Sequence, residues 1–202
     1  MKLYTGMGPN PRVVTIALAE TGAKVDLVTV DLMKGENRQG DHLKRNPAGQ
    51  IPTLELDNGQ FISEITAIAE YLDEKTGGKL MGKTAEERAE TRMWVRRIDL
   101  NIVENMANGF RFAEGLPLFQ NRLHCIPQAA ADLKAIAAER LVWLDGLMAD
   151  RDFICGSRFS LADILLFAFL EFGSSVGQPL DPKCERLQAW YARVAARPST
   201  AR

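Results

Sequence analysis

The chain has 202 residues, 46% of them hydrophobic, with 25 basic and 26 acidic side chains and a formal net charge of -1. That length allows one large or two small domains with sizeable cores, and the near-neutral balance removes any electrostatic case for nucleic acid or an anionic membrane as the main partner. No apolar stretch reaches the ~18–20 residues a membrane span needs, the Met1-Lys2-Leu3 start runs straight into a strand without a signal core, and Cys125, Cys155 and Cys184 form no metal-ligand pattern. These features predict a cytoplasmic protein with free thiols, a small-molecule partner and no metal.

In chain order, Lys2-Leu3-Tyr4 predicts a short strand. Asn10 reads as the N-cap and Pro11 as the first residue of a helix running to about Glu20, with Gly22 as its stop. Val25 to Asp31 predicts a second strand, and strand, helix, strand in this order implies a parallel pair with a crossover. The polar stretch Lys34 to Lys44 predicts one or two irregular helical turns, with His42 on a solvated turn.

Asn46-Pro47-Ala48-Gly49-Gln50-Ile51-Pro52-Thr53-Leu54 places a proline directly before an apolar run, where it starts a strand rather than lying inside one. Asp57-Asn58-Gly59 then reverses the chain, and Ser63 reads as the N-cap of a helix from Glu64 to about Lys75. A strand edge and a helix N-terminus thereby expose unpaired backbone groups together. Such a corner suits an extended peptide with a carboxylate end. Ser63-Glu64 also reads as an ordinary N-cap with a first-turn acid supporting its own helix.

Gly77-Gly78-Lys79-Leu80-Met81-Gly82-Lys83 marks a shift in composition, and the predicted boundaries are a first domain over residues 1–77, a linker over 78–83 and an all-helical domain over 84–202. Thr84-Ala85-Glu86-Glu87 is a capping box opening a long helix that reaches the region of Phe110. A second long helix spans about Gln128 to Met148, with Leu133, Ile136, Leu141, Leu144 and Leu147 as its apolar face. Ser160-Leu161-Ala162-Asp163 is another capping box. It opens Ile164-Leu165-Leu166-Phe167-Ala168-Phe169-Leu170, a helix apolar on almost every side and so expected in a core. A last helix covers about Glu185 to Ala196.

The Gln50-Ile51-Pro52 loop, the hairpin and the Ser63-Glu64 helix start together resemble the glutathione-binding half of the cytosolic glutathione S-transferases. Ser160-Leu161-Ala162-Asp163 matches that family's Ser-x-Ala-Asp signature, and the resemblance covers nearly the whole chain. It implies a thioredoxin-like N-terminal domain followed by an all-helical C-terminal domain, and a cis bond at Ile51-Pro52. It also implies that Ile51 offers its backbone N–H and C=O to the cysteinyl part of glutathione, with Gly8, Gln50 and Pro52 also in the glutathione site, that Glu64 and the N–H of Ile65 hold its γ-glutamyl end, and that Arg38 or Lys34 suits its glycine carboxylate. The family usually has Ser where this chain has Ile65, which removes a hydroxyl contact and keeps the backbone N–H.

The resemblance places the chemistry between the first strand and first helix, where Pro9-Asn10 is similar to the Thr-Pro-Asn of bacterial members, with Gly8 in the Thr position. Asn10 and the first-turn N–H groups are the candidates for stabilising a glutathione thiolate, since hydrogen-bond donors and helix N-termini lower a neighbouring thiol's pKa. Asn10 reads equally as a plain helix cap, Arg12 as a solvated side chain, and Tyr4 as structural. Arg97, Asn101 and Asn105, repeating every four residues, are candidates for the electrophile pocket, although such stripes also belong to cores. His124-Cys125 reads as an incidental pair. The expected function is conjugation of the glutathione thiolate to an apolar electrophile by a homodimer, with glutathione as co-substrate and no cofactor. Glutathione-dependent disulfide reduction and a non-catalytic binding module are the alternatives. The isomerase-like Ser-Ser-Cys loop is missing.

Overall fold

The computed structural model describes residues 1–201, which divide into two compact units after Glu87. In the first, β1 (Lys2–Thr5), α1 (Pro9–Thr21) and β2 (Asp26–Thr29) are followed by a 3-10 turn (Glu36–Arg38), α2 (Gly40–Arg45), β3 (Thr53–Glu55), β4 (Phe61–Ile62) and α3 (Ile65–Lys75). The sheet order is β2-β1-β3-β4. Leu3 pairs in parallel with Leu27 and antiparallel with Leu54, and Leu54 pairs antiparallel with Ile62. This is the expected thioredoxin-like plan.

Alternation along the strands sends neighbouring side chains to opposite faces. Leu3 and Leu54 join Val14, Ile68 and Leu72 in one core, and Tyr4 joins Val30 and Ile51 in another. Burial of a side chain of this size contributes about 1.5–3 kcal/mol, a large share of a typical net stability of ~5–15 kcal/mol.

Four local expectations are corrected. β2 is shorter than Val25 to Asp31 because its partner β1 offers only Lys2 to Thr5 for pairing. α1 starts at Pro9, so Gly8 rather than Asn10 holds the N-cap position. Proline suits a first helical turn, where its missing N–H costs nothing. α3 starts at Ile65, with Glu64 and not Ser63 in the cap position. His42 lies on α2 and is 4% exposed, so it belongs to the interior rather than a solvated turn. Near the end of α3, the buried Asp73 accepts hydrogen bonds from the backbone N–H groups of Lys79, Leu80 and Met81 in the segment that follows, each at 2.8 Å.

The second unit is helical. The Thr84 and Glu87 capping box forms, with Glu87 N donating to Thr84 Oγ1 at 3.2 Å and Thr84 N donating to Glu87 Oε2 at 3.3 Å. The long helix it opens is α4 (Ala85–Ile98), a π-helical turn (Asp99–Val103) and α5 (Glu104–Arg111). A π turn misaligns backbone carbonyls, and side chains take them up here. Asn101 Nδ2 donates to Arg97 O at 2.8 Å, and Asn105 Nδ2 to Asn101 O at 2.9 Å.

After the short α6 (Leu116–Phe119) comes α7 (Ala130–Leu147), whose buried positions are Ala130, Ala137, Leu141 and Leu144. Ile136 and Leu147, expected on that face, are exposed. Its N-terminal part is lined by alanine where α5 comes close: a β-carbon at Gly109 would lie 2.7 Å from Lys134 Cγ and 3.5 Å from the Ala130 carbonyl oxygen. The predicted core helix is α8 (Leu161–Ser175), buried without a break from Leu161 to Leu170, and α9 (Glu185–Ala195) follows. Asp163 accepts from Ile154 N, Ser160 N, Ser160 Oγ and Trp190 Nε1, at 2.8 to 2.9 Å.

Candidate functional site

The site is built where β1 ends. A β-carbon at Gly6 would lie 2.8 Å from the Val30 carbonyl oxygen and 2.9 Å from Ile51 Cδ1, so the chain leaving β1 passes directly against the 49–52 loop. Gly8 then turns into α1 with φ 118 and ψ 171, a backbone region close to glycine's own. Pro9 and Pro11 have no N–H, and Arg12 N donates to Gly8 O at 3.2 Å. Among the described residues, Asn10 N–H is therefore the free backbone donor of the first helical turn, where the sequence suggested several. The half-buried Asn10 side chain takes no hydrogen-bond partner either among those residues.

The Ile51-Pro52 bond is cis, as the resemblance implied. Ile51 is 7% exposed, yet neither its N–H nor its C=O takes a partner among the described residues. Arg38 reaches over the same loop, with Nη1 donating to Ala48 O at 3.4 Å. Two residues beyond the Leu54–Ile62 pair stands Glu64, with φ 68 and an exposed carboxylate that has no partner among the described residues. A non-glycine residue at positive φ costs about 1–3 kcal/mol and persists where the surroundings enforce it, often at ligand clamps. Ile65 explains its own departure from the family's Ser by packing against the Leu3, Leu54 and Ile68 core.

Other candidate residues also make contacts within the fold. The Tyr4 hydroxyl donates to Glu55 Oε2 at 2.7 Å, and the Arg45 guanidinium lies 4.4 Å from its ring centre. The bond to Glu55, with burial, pushes the phenol up, and the same bond holds the Glu55 carboxyl below its ordinary value. Tyr4 thus keeps its proton. Arg97 lies over the Trp94 ring at 4.9 Å, and the amides of Asn101 and Asn105 serve the π turn. Cys125 is half-buried with its sulfur 4.0 Å from Arg111 O. Among the described residues no group of three or more His, Cys, Asp or Glu is placed to hold a metal, and no helix is long and apolar enough to cross a membrane.

Sequence reasoning missed Asn37, His42 and Asn46, all buried and all donating to carbonyls of the 49–52 loop. One signal was present: His42 and Asn46 stand four apart, the spacing that shares a helix face.

A mixed four-stranded sheet with a cis-proline loop leading into β3, followed by an all-helical unit, is the architecture of the glutathione transferase class of thioredoxin-like proteins. The family descriptions "Glutathione S-transferase, N-terminal domain" and "Glutathione S-transferase, C-terminal domain" match residues 1–74 and 127–198. Glutathione S-transferase 2 of Saccharomyces cerevisiae is 36% identical over 96% of this chain and 85% of its own length. A glutathione S-transferase domain-containing protein of Marinobacter aquaeolei superposes with a TM-score of 0.94 at 37% identity, covering both chains fully. A sphingomonad glutathione S-transferase complexed with glutathione superposes at 0.81, with 27% identity over 99% of this chain and 95% of that one. The chain belongs to the glutathione S-transferase family and is an enzyme of that class.

Proposed function

We propose that the chain conjugates the thiolate of glutathione to a small apolar electrophile. The observation that carries this reading is the backbone edge of Ile51 in the same domain as Glu64, which enters α3 at φ 68; among the described residues neither that edge nor the Glu64 carboxylate has a partner. In this reading Ile51 takes the cysteinyl part of glutathione as an added strand would. Glu64 accepts from the γ-glutamyl ammonium, and the N–H of Ile65 meets the neighbouring carboxylate at a helix N-terminus. Arg38 takes the glycine carboxylate, and Gly8, Gln50 and Pro52 complete the walls.

Asn10 then faces the sulfur with a backbone N–H and a side-chain amide, both donors that favour thiolate over thiol. No proton-transferring side chain is needed, so catalysis consists of thiolate stabilisation and positioning. Arg97, Asn101 and Asn105 belong to the electrophile pocket of the helical domain. Residues 1–83 serve as glutathione domain and linker, and 84–202 as the electrophile domain. Residues 1–87 hold no cysteine that could form a mixed disulfide with glutathione, which favours conjugation over disulfide reduction. The same reading makes the enzyme a cytoplasmic, detoxifying, two-fold homodimer.

The test is a side-by-side assay of aryl halide conjugation and mixed-disulfide reduction, with sedimentation of the same sample. Conjugation that saturates in glutathione, from a species of twice the chain mass, is expected. Reduction without conjugation would overturn the reading.

A further inference from the structure

We propose that His42 is a positioning residue for glutathione, acting through the peptide plane that joins Gln50 to Ile51. The inference rests on the reading of Ile51 as the backbone contact for the cysteinyl part of the ligand. One carbonyl, that of Gln50, accepts from His42 Nε2 at 2.9 Å, Asn46 Nδ2 at 2.9 Å and Thr53 Oγ1 at 3.3 Å. Because the partner is an acceptor, Nε2 carries the ring hydrogen.

The Gln50-Ile51 bond is trans, since the cis bond of this loop is the following one. In a planar trans peptide the C=O and the N–H point in opposite directions. Fixing the Gln50 oxygen on the α2 side therefore aims the Ile51 N–H away from α2, on the side where it takes no partner among the described residues. The preceding residues are held as well: Asn37 Nδ2 donates to Gly49 O at 2.6 Å, and Ala48 N donates to Asn46 Oδ1 at 3.1 Å. Asn37, His42, Asn46 and Thr53 are all 6% exposed or less, so the brace is part of the domain interior.

His42 is the member whose contribution can be isolated. Asn46 also serves Ala48 and Thr53, whereas the His42 ring makes one hydrogen bond, its Nδ1 being buried without a partner among the described residues. The ring meets Tyr4 edge-on at 6.5 Å and borders a cavity of about 460 Å³ shared with Val28, Val30 and Arg45. A phenyl ring has room there.

The experiment compares the full-length wild type, His42→Phe and His42→Gln by calorimetric titration with glutathione, steady-state kinetics and thermal unfolding. His42→Phe removes the donor and keeps a ring; His42→Gln restores a donor. Expected are a roughly tenfold weaker glutathione Kd and higher glutathione KM for His42→Phe, the scale of one hydrogen bond, with kcat changed by less than about twofold. His42→Gln should recover most of the affinity. Equal binding by wild type and His42→Phe would overturn the positioning role while leaving the glutathione site intact. So would loss of affinity in both variants in step with melting temperature, which is what packing alone would produce. A wild type that does not bind glutathione would overturn the reading of Ile51 and this inference together.

Discussion

Gly6 and Ile51 approach so closely that a β-carbon on the glycine would stand 2.9 Å from the isoleucine Cδ1, with the Val30 carbonyl oxygen 2.8 Å away on the backbone side. Ile51 Cδ1 is the far end of a flexible side chain and can yield. The Val30 oxygen is backbone and cannot move without β2. Gly6→Ala is therefore expected to cost about 1–3 kcal/mol, the scale of overpacking, and to weaken glutathione binding by displacing Ile51. Thermal unfolding and calorimetry of the variant check both halves. An alanine variant with wild-type stability and affinity would contradict the close approach.

The Tyr4–Glu55 hydrogen bond predicts a window of pH. Glu55 has a folded pKa below its ordinary value of about 4.3, so its contribution is present above that value and is lost as pH falls through the folded one. Tyr4 has a folded pKa above its ordinary value of about 10, so its contribution is present below that and is lost as pH rises through the folded one. The stability difference between wild type and Tyr4→Phe should thus be flat from about pH 5 to 9 and shrink on both sides. Denaturant titrations across this range measure it, and a difference independent of pH below 4 would contradict the bond.

Asp163 is expected to dominate the stability of the helical unit. Burial pushes its carboxyl up, against hydrogen bonds from Ile154, Trp190 and Ser160 that pull it down. Asp163→Asn keeps the volume but places an amide NH₂ among donors. Each buried donor left without an acceptor costs about 1–3 kcal/mol, so a loss of at least about 3 kcal/mol is expected. At ~2–4 °C per kcal/mol for a chain of this size, that lowers the melting temperature by roughly 6–12 °C. Scanning calorimetry reads it directly.

Glu64→Ala should lose glutathione affinity by about 1.5–3 kcal/mol, the worth of a charge-assisted hydrogen bond, because the ligand ammonium would lose its acceptor. The exposed side chain has no partner among the described residues, so the melting temperature of the ligand-free variant should stay close to wild type. Calorimetric titration beside a melt separates the two effects.

Much of this was legible in the residues, and for physical reasons. The capping boxes at Thr84 and Ser160 mark their helix starts because reciprocal side-chain and backbone bonds need that spacing, and both form. Pro52 before an apolar run marked the loop. The helix starts at Asn10 and Ser63 were misjudged because two neighbours accept unusual backbone: Gly8 at φ 118 lets α1 begin early, and Glu64 takes φ 68 against its own preference. Propensity cannot anticipate strain that tertiary contacts enforce. His42 was misplaced because polar neighbours such as Asp41 and Lys44 suggest solvent, while its burial depends on Tyr4, nearly forty residues earlier in the chain. The apolar face of α7 was shifted by the close approach at Gly109, which involves a different helix.

In the proposed reaction, bound glutathione is held as thiolate at the start of α1, beside Asn10. Ultraviolet titration of the thiolate in the wild-type complex, repeated with Asn10→Ala, tests it most directly. The bound thiol is expected at least about one unit below the ~8.5 of a free thiol, moved part of the way back in Asn10→Ala with a roughly tenfold slower conjugation rate and nearly unchanged glutathione affinity. A bound thiol that titrates with the free tripeptide, or an Asn10→Ala complex with the wild-type thiolate and rate, would contradict it.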